Sequence, residues 1–166
     1  MENDSGLWEL RELSERLAKA CRRQSAKVTT AESCTGGGVA AAITDIAGSS
    51  DYFETGYITY ANTSKTRLLN VSESLLEGYG AVSQETVEAM VEGACLESGA
   101  DIGVAVSGIA GPGGGSDDKP VGTVWFAWGD ASRQQSIRHV FEGDRAAVRH
   151  QAARVALEGL IEWLEK

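Results

Sequence analysis

The sequence has little proline and little histidine, two of each among 166 residues. Low proline beside abundant glycine is not the composition of a disordered Pro/Gly segment. So few histidines leave a serine or cysteine nucleophile short of its commonest base. The three cysteines, Cys21, Cys34 and Cys95, are odd in number and lack C-x-x-C spacing. That argues against a zinc site or a disulfide framework and for a reducing, cytoplasmic location. No apolar run approaches the ~18 residues needed to span a membrane, so no membrane partner is expected. Met1–Asp4 lacks the basic start and apolar stretch of a signal peptide. Positive charge is also short: 15 Lys and Arg stand against 24 Asp and Glu, for a net charge of −9. A nucleic-acid-coating protein needs a basic face, so nucleic acid is not an expected partner. One small phosphate ligand needs only local positive potential.

Glycine is the residue in excess, 20 of 166, against an average of roughly 7%. The glycines cluster between apolar runs, which predicts tight loops with exposed backbone N–H groups. The length suits one domain, residues 1–166, on a prior of roughly 100–200 residues per domain.

Helix and strand patterns alternate along the chain. Leu7, Leu10, Leu13 and Leu17 mark one face of a helix to about Cys21. Lys27–Glu32 reads as a strand, running into Ser33-Cys34-Thr35-Gly36-Gly37-Gly38 and an alanine-rich helix from about Val39 to Ile46. Phe53–Tyr60 reads as a second strand, followed by short helices at Asn62–Leu69 and Ser72–Glu77. Ser83 is placed to cap a helix through Leu96 that Gly99 closes. Strands follow at Asp101–Val106, Val121–Trp128 and Gln135–Phe141, the last two joined through Gly129-Asp130 as an antiparallel hairpin. Asp144 is placed to cap a final helix, Arg145–Leu164. The expected architecture is α/β: a mixed, mostly parallel sheet of about five or six strands with helices on both faces.

Three segments carry the chemistry. At Ser33 a strand turns sharply into a helix, and the N–H groups of Cys34, Thr35 and Gly36 are expected to face an oxyanion or anionic ligand. As structure alone, Ser33 caps the helix and the glycines permit close packing. The G-x-S-x-G elbow is absent. Cys34 at the same turn is a second possible nucleophile.

In Thr59-Tyr60-Ala61-Asn62-Thr63-Ser64-Lys65, Tyr60 and Lys65 fall near the same sheet edge as Ser33. His139 lies in a predicted strand and His150 in the last helix, so a Ser-His-Asp triad fits poorly. A lysine replaces histidine as base when burial lowers its pKa from about 10.4 towards 7–8. Without such burial Lys65 is a solvated lysine and Tyr60 an aromatic at the core's edge.

The third segment, Ser107 to Ser116, holds five glycines directly after a strand. It is neither a Walker A loop nor a dinucleotide fingerprint, but its free N–H groups suit an anion. Arg145, opening the last helix after Gly143-Asp144, suits a phosphate.

Several of these stretches together resemble the CinA C-terminal domain family in its stand-alone form. They are Ala31-Glu32-Ser33-Cys34-Thr35-Gly36-Gly37, Thr44-Asp45-Ile46-Ala47-Gly48-Ser49-Ser50 with Phe53, and Thr59-Tyr60-Ala61-Asn62 with Lys65. Gly80-Ala81-Val82-Ser83, Val104 through Gly114, Lys119-Pro120-Val121-Gly122-Thr123-Val124 and Phe141-Glu142-Gly143-Asp144-Arg145 complete the set, which covers residues 8 to 164. The resemblance implies a three-layer α/β/α sandwich and a cytoplasmic homo-oligomer, most simply a dimer. It implies hydrolysis of the carboxamide of nicotinamide mononucleotide (NMN) to nicotinate mononucleotide and ammonia, in pyridine nucleotide (NAD) salvage, with no metal or cofactor. It also implies a serine nucleophile with a tyrosine and a lysine, at positions matching Ser33, Tyr60 and Lys65. The expected pocket residues are Thr35, Gly36, Ser49, Ser50, Asn62, Ser107, Gly108, Gly111, Gly113 and Arg145. Two other readings stay open: a non-catalytic partner protein in competence or DNA-damage responses, and an amidase for another small pyridine or nucleotide amide.

Overall fold

The computed structural model describes the chain from Glu2 to Lys166, with side chains from Glu9 onward. Leu7, expected on the apolar face of the first helix, has its side chain outside the described residues.

Helix α1 (Glu2–Gln24) leads to strand β1 (Val28–Glu32), helix α2 (Gly38–Thr44), a single 3-10 turn at Ser49–Asp51 and strand β2 (Phe53–Ile58). Three helices follow: α3 (Asn62–Leu69), α4 (Glu73–Tyr79) and α5 (Gln84–Ser98). Strands β3 (Ile102–Gly108), β4 (Thr123–Gly129) and β5 (Gln134–Val140) precede α6 (Arg145–Glu165). The caps fall where side-chain chemistry puts them. Ser72, Ser83 and Asp144 accept the backbone N–H groups of Leu75, Thr86 and Ala147, each an orphan donor in a helix's first turn. Gly99 ends α5 in the left-handed conformation.

The strands form one sheet in the order β2-β1-β3-β4-β5. β1 pairs in parallel with β2 and β3, and β4 is antiparallel to both β3 and β5. Four strands therefore run one way and β4 the other, a mixed and mostly parallel sheet. The β4–β5 turn is closed by Asp130 Oδ1, which accepts from Ser132 N and Arg133 N at 2.8 and 2.7 Å.

Alternation along the strands divides the core into two layers. Val28, Val104, Val106, Val124 and Phe126 face a cluster with Leu17, Val39 and the buried stripe of α6, including Val148, Ala152, Leu157 and Leu160. Ala31, Ala105 and Ala127 face the other cluster, built from Leu69, Leu76, Val87, Met90 and Val91 of α3, α4 and α5. The result is a three-layer α/β/α sandwich. The small strand residues on the second face let α5 come close. It comes close to α3 as well, since a Cβ at Gly93 would meet the Leu69 carbonyl oxygen.

This topology positions the site. From β1 the chain moves through α2, on one face, to β2. It then returns through α3–α5, on the other face, to β3 on the far side of β1. The connections that leave the neighbouring carboxyl ends of β1 and β2 go to opposite faces and open a crevice there, where ligands bind in open α/β sheets. Ser33 is the first residue past β1.

Candidate active site

Ser33 continues the β1 ladder, donating its N–H to Val106 O at 2.9 Å. The β1–β3 register ends at Glu32 opposite Val106, which sets Ser33 beside Ser107 on the α3 side of the sheet. Lys65 comes from the first turn of α3. Its Nζ lies 3.2 Å from Ser33 Oγ, 2.8 Å from Thr59 O and 3.2 Å from Tyr60 O. Lys65 is 0% exposed and Ser33 9%. Burial drives the Lys65 pKa from 10.5 down to about 8, with nearby Cys34 opposing weakly. The lysine is thus a buried base aimed at the serine. In its neutral form two N–H groups anchor on the two carbonyls, leaving the lone pair for the Ser33 hydroxyl proton.

Glu32 is the residue the motif reading left without a role. It points to the opposite face, fully buried. Its carboxylate accepts from Thr35 Oγ1 at 2.6 Å, Val39 N at 2.8 Å and Ala40 N at 3.1 Å. It thereby caps α2, whose N-cap Gly37 has no side chain to offer. Strand alternation was the available signal: Glu32 must face opposite to Ser33. Glu32→Gln would set an amide N–H against the Ala40 N–H. The expected loss is about 2 kcal/mol, the worth of a charge-assisted bond, read from urea unfolding.

Glu32 also corrects the expectation of a helix N-terminus aimed at Ser33, because α2 starts at Gly38 and Glu32 occupies its first donors. The Gly36 N–H is likewise taken, by Ser33 O at 3.1 Å. Among the described residues no other residue accepts from the N–H groups of Cys34 and Thr35, so these two remain for an oxyanion.

Tyr60 enters differently from expectation. Its carbonyl, not its hydroxyl, holds Lys65. The side chain is 60% exposed, and its hydroxyl accepts from Arg145 Nη2 at 2.9 Å. Arg145 Nη1 donates to Gly111 O at 2.8 Å. Arg145 therefore ties the segment after β2 to the glycine loop after β3, at the edge where Ser33 sits. Gly113 lies in this exposed loop, and a Cβ there would meet nothing. Gly111 needs its φ of +87° and its lack of a Cβ, which would meet Val121 Cγ1 at 2.5 Å. Gly108 is bare for another reason: β4 approaches it so closely that a Cβ would meet Thr123 O at 2.7 Å.

Four expected pocket residues are turned or placed away from Ser33. Ser49 and Ser50 belong to the 3-10 turn that precedes β2. Val28 pairs with Phe53, so that turn stands at the amino-terminal edge of the sheet. Five strand residues, about 17 Å, separate that edge from Ser33. The Thr35 hydroxyl turns inward to Glu32 and is buried, so it faces no ligand. Asn62 opens α3 and lines a separate groove with Thr63, Thr66, Glu73, Leu76 and Glu77. Cys34 lies in the core layer opposite Lys65, and burial pushes its thiol up to about 11, which disarms it as a nucleophile. His139 lies in edge strand β5 and stacks on Phe141. Among the described residues no histidine hydrogen-bonds to Ser33 or Lys65.

Arg149 was missed in the sequence. It donates from Nε to Cys34 O at 3.1 Å and from Nη2 to Thr35 O at 3.3 Å. Its spacing was the signal, since i and i+4 from Arg145 share one helix face.

The comparisons agree with this fold. The CinA C-terminal domain model matches residues 10–164. A nicotinamide-nucleotide amidohydrolase PncC of Pseudomonas putida is 61% identical over 150 residues, covering 90% of this chain and 94% of the relative. The PncC of Escherichia coli K12 is 53% identical over 154 residues, covering 92% and 93%. The crystal structure of a competence damage-inducible protein A from Klebsiella pneumoniae superposes with a TM-score of 0.91 at 41% identity, covering 94% of this chain and 97% of that one. The chain belongs to the CinA C-terminal domain family.

Proposed function

We propose that this protein hydrolyses the carboxamide of NMN to nicotinate mononucleotide and ammonia through an acyl–Ser33 intermediate. The observation that carries the mechanism is the buried Lys65 Nζ, 3.2 Å from Ser33 Oγ and anchored on two carbonyls. The substrate is supported by two relatives, both nicotinamide-nucleotide amidohydrolases and both more than half identical over most of the chain.

Ser33 Oγ attacks the carboxamide carbon as neutral Lys65 takes the hydroxyl proton. The N–H groups of Cys34 and Thr35 face the developing oxyanion. As the intermediate collapses the C–N bond breaks, and Lys65 returns the proton to the departing nitrogen, releasing ammonia. Water then attacks the ester, giving a proton to Lys65, which returns it to Ser33 Oγ as the acyl C–O bond breaks and the carboxylate product leaves. The positive pyridinium of NMN withdraws electrons from the carboxamide and activates it. Tyr60 acts through its carbonyl, which orients Lys65, and through its hydroxyl, which steadies Arg145. The phosphate meets the 107–115 loop and Arg145, whose guanidinium forms bidentate bonds to such groups. Residues 1–166 act as one domain, and the products enter pyridine nucleotide salvage in a cytoplasmic homo-oligomer.

The test is ammonia release from NMN and from unphosphorylated nicotinamide. NMN is expected to be hydrolysed at least ~10²-fold more efficiently, and Arg145→Ala to raise KM for NMN by about 10–100-fold, the worth of a charge-assisted bond. Equal rates on the two amides would defeat the phosphate reading. No release from either would defeat the amidase.

A further inference from the structure

The turn that carries Ser33 is gripped by two residues, both on the α2–α6 face of the sheet. From inside, Glu32 holds the Thr35 hydroxyl and the first N–H groups of α2. From outside, Arg149 reaches from the second turn of α6 to the carbonyls of Cys34 and Thr35. Gly36 leaves room for this guanidinium. A Cβ there would come within 3.2 Å of Arg149 Nη2, on a backbone whose φ is +58°.

Peptide planarity turns that grip into chemistry. In a trans peptide the C=O and the next N–H point in opposite directions. The Cys34 carbonyl, drawn towards α6 by Arg149, sends the Thr35 N–H away from α6, towards the face on which Lys65 stands. The Ser33 carbonyl, held by Gly36 N, sets the Cys34 N–H in the same manner. The two N–H groups left without acceptors on other residues are thus aimed by bonds made on the far side of their own peptides.

We propose that Arg149 is a positioning residue for the oxyanion site, fixing the Cys34–Thr35 peptide so that the Thr35 N–H faces the charge that develops during attack by Ser33. The inference rests on the Ser33 nucleophile proposed above but not on the identity of the amide. Arg149 does not touch Lys65, which lies on the other face of the sheet. Its loss therefore weakens transition-state stabilisation without changing the base.

Labelling of Ser33 by a fluorophosphonate tests this without NMN. Ser33 Oγ forms a bond to phosphorus, the P–F bond breaks, fluoride leaves and Lys65 takes the hydroxyl proton. The charge that develops on the phosphoryl oxygen needs the same two N–H groups. Arg149→Ala is expected to slow labelling by about 10²-fold, the usual effect of losing one oxyanion donor. Arg149→Lys should fall between the two, because an ammonium is a point donor and does not span both carbonyls. In NMN hydrolysis kcat is expected to fall by a similar factor while KM stays within about threefold, the signature of a contact made in the transition state. The apparent pKa of labelling should stay where it is in the unmodified protein. Labelling of Arg149→Ala within about threefold of wild type would overturn the proposal, as would a loss confined to KM or a moved pKa. If Arg149→Ala fails to fold, Arg149→Lys carries the same criteria, with wild-type labelling overturning the proposal. Wild-type protein that labels at Ser33 but leaves NMN intact would overturn the substrate reading alone.

Discussion

Ser33→Ala is expected to lower ammonia release from NMN by at least ~10³-fold, since removing a nucleophile costs on that order or more. The variant should fold. Ser33 contributes one hydroxyl to the site, bonded to Lys65 at 3.2 Å and at most weakly to Tyr60 O at 3.5 Å. Its backbone bond to Val106 does not depend on the side chain. A change in stability of about 1 kcal/mol or less is expected, well short of unfolding. The measurement is steady-state ammonia release, with circular dichroism as the check on folding. Retention of most of the activity would remove Ser33 from its role. Cys34 would be a poor successor, because its thiol is buried in the opposite layer and its pKa pushed up to about 11.

Lys65→Met is expected to be nearly as damaging, by about 10³-fold, within the range that general bases contribute. Methionine fills much of the lysine's volume but accepts no proton. The pH dependence of the wild-type protein isolates the same group. Protonated Lys65 has no lone pair, so activity must follow its neutral fraction. With the pKa lowered from 10.5 to about 8, that fraction is about one tenth at pH 7 and falls about tenfold for each further unit of acid. kcat/KM should therefore rise with pH, bend near 8 and level off above about pH 9. An inflection near the ordinary lysine value would mean that burial does not depress the group. A flat profile from pH 6 to 9 would mean that Lys65 is not the base. The two variants differ in one respect: Lys65→Met leaves the Thr59 and Tyr60 carbonyls without their donor. Some loss of stability is expected there and not in Ser33→Ala.

Much of the fold was legible because it rests on local chemistry. Helix α3 spans Asn62–Leu69 as its pattern predicts. Ser83 and Asp144 cap where a side-chain oxygen meets an orphan N–H. The β4–β5 hairpin follows from a short turn between two alternating runs. Boundaries drifted where packing prolongs an element: α1 runs on to Gln24, and β3 extends past Val106 to Gly108 under its ladder with β4. Within the site, Ser33 and Lys65 were legible as types of group at a strand end and an early helix turn. Ser49 and Ser50 stand apart from Ser33 because a motif records neighbours in sequence, and strand register places this pair at the opposite edge. Tyr60 was half legible. The backbone at that position holds Lys65, and nothing in a residue's type reveals what its carbonyl does.

By itself the sequence determined the alternation of helices and strands, the caps, the glycine loop after β3 and the shortage of histidine that pointed to a lysine base. These depend on residues within a few positions of one another, where periodicity and hydrogen-bond geometry suffice. Tertiary structure alone decided which lysine is buried, which face Glu32 takes and which arginine reaches the serine's turn. Lys65 is 32 residues from Ser33, and Arg149 is 115 residues from Cys34. Such pairs meet only when the sheet order is set and the helices close on its two faces. Burial, which turns an ordinary lysine into a base, arises only at that closure.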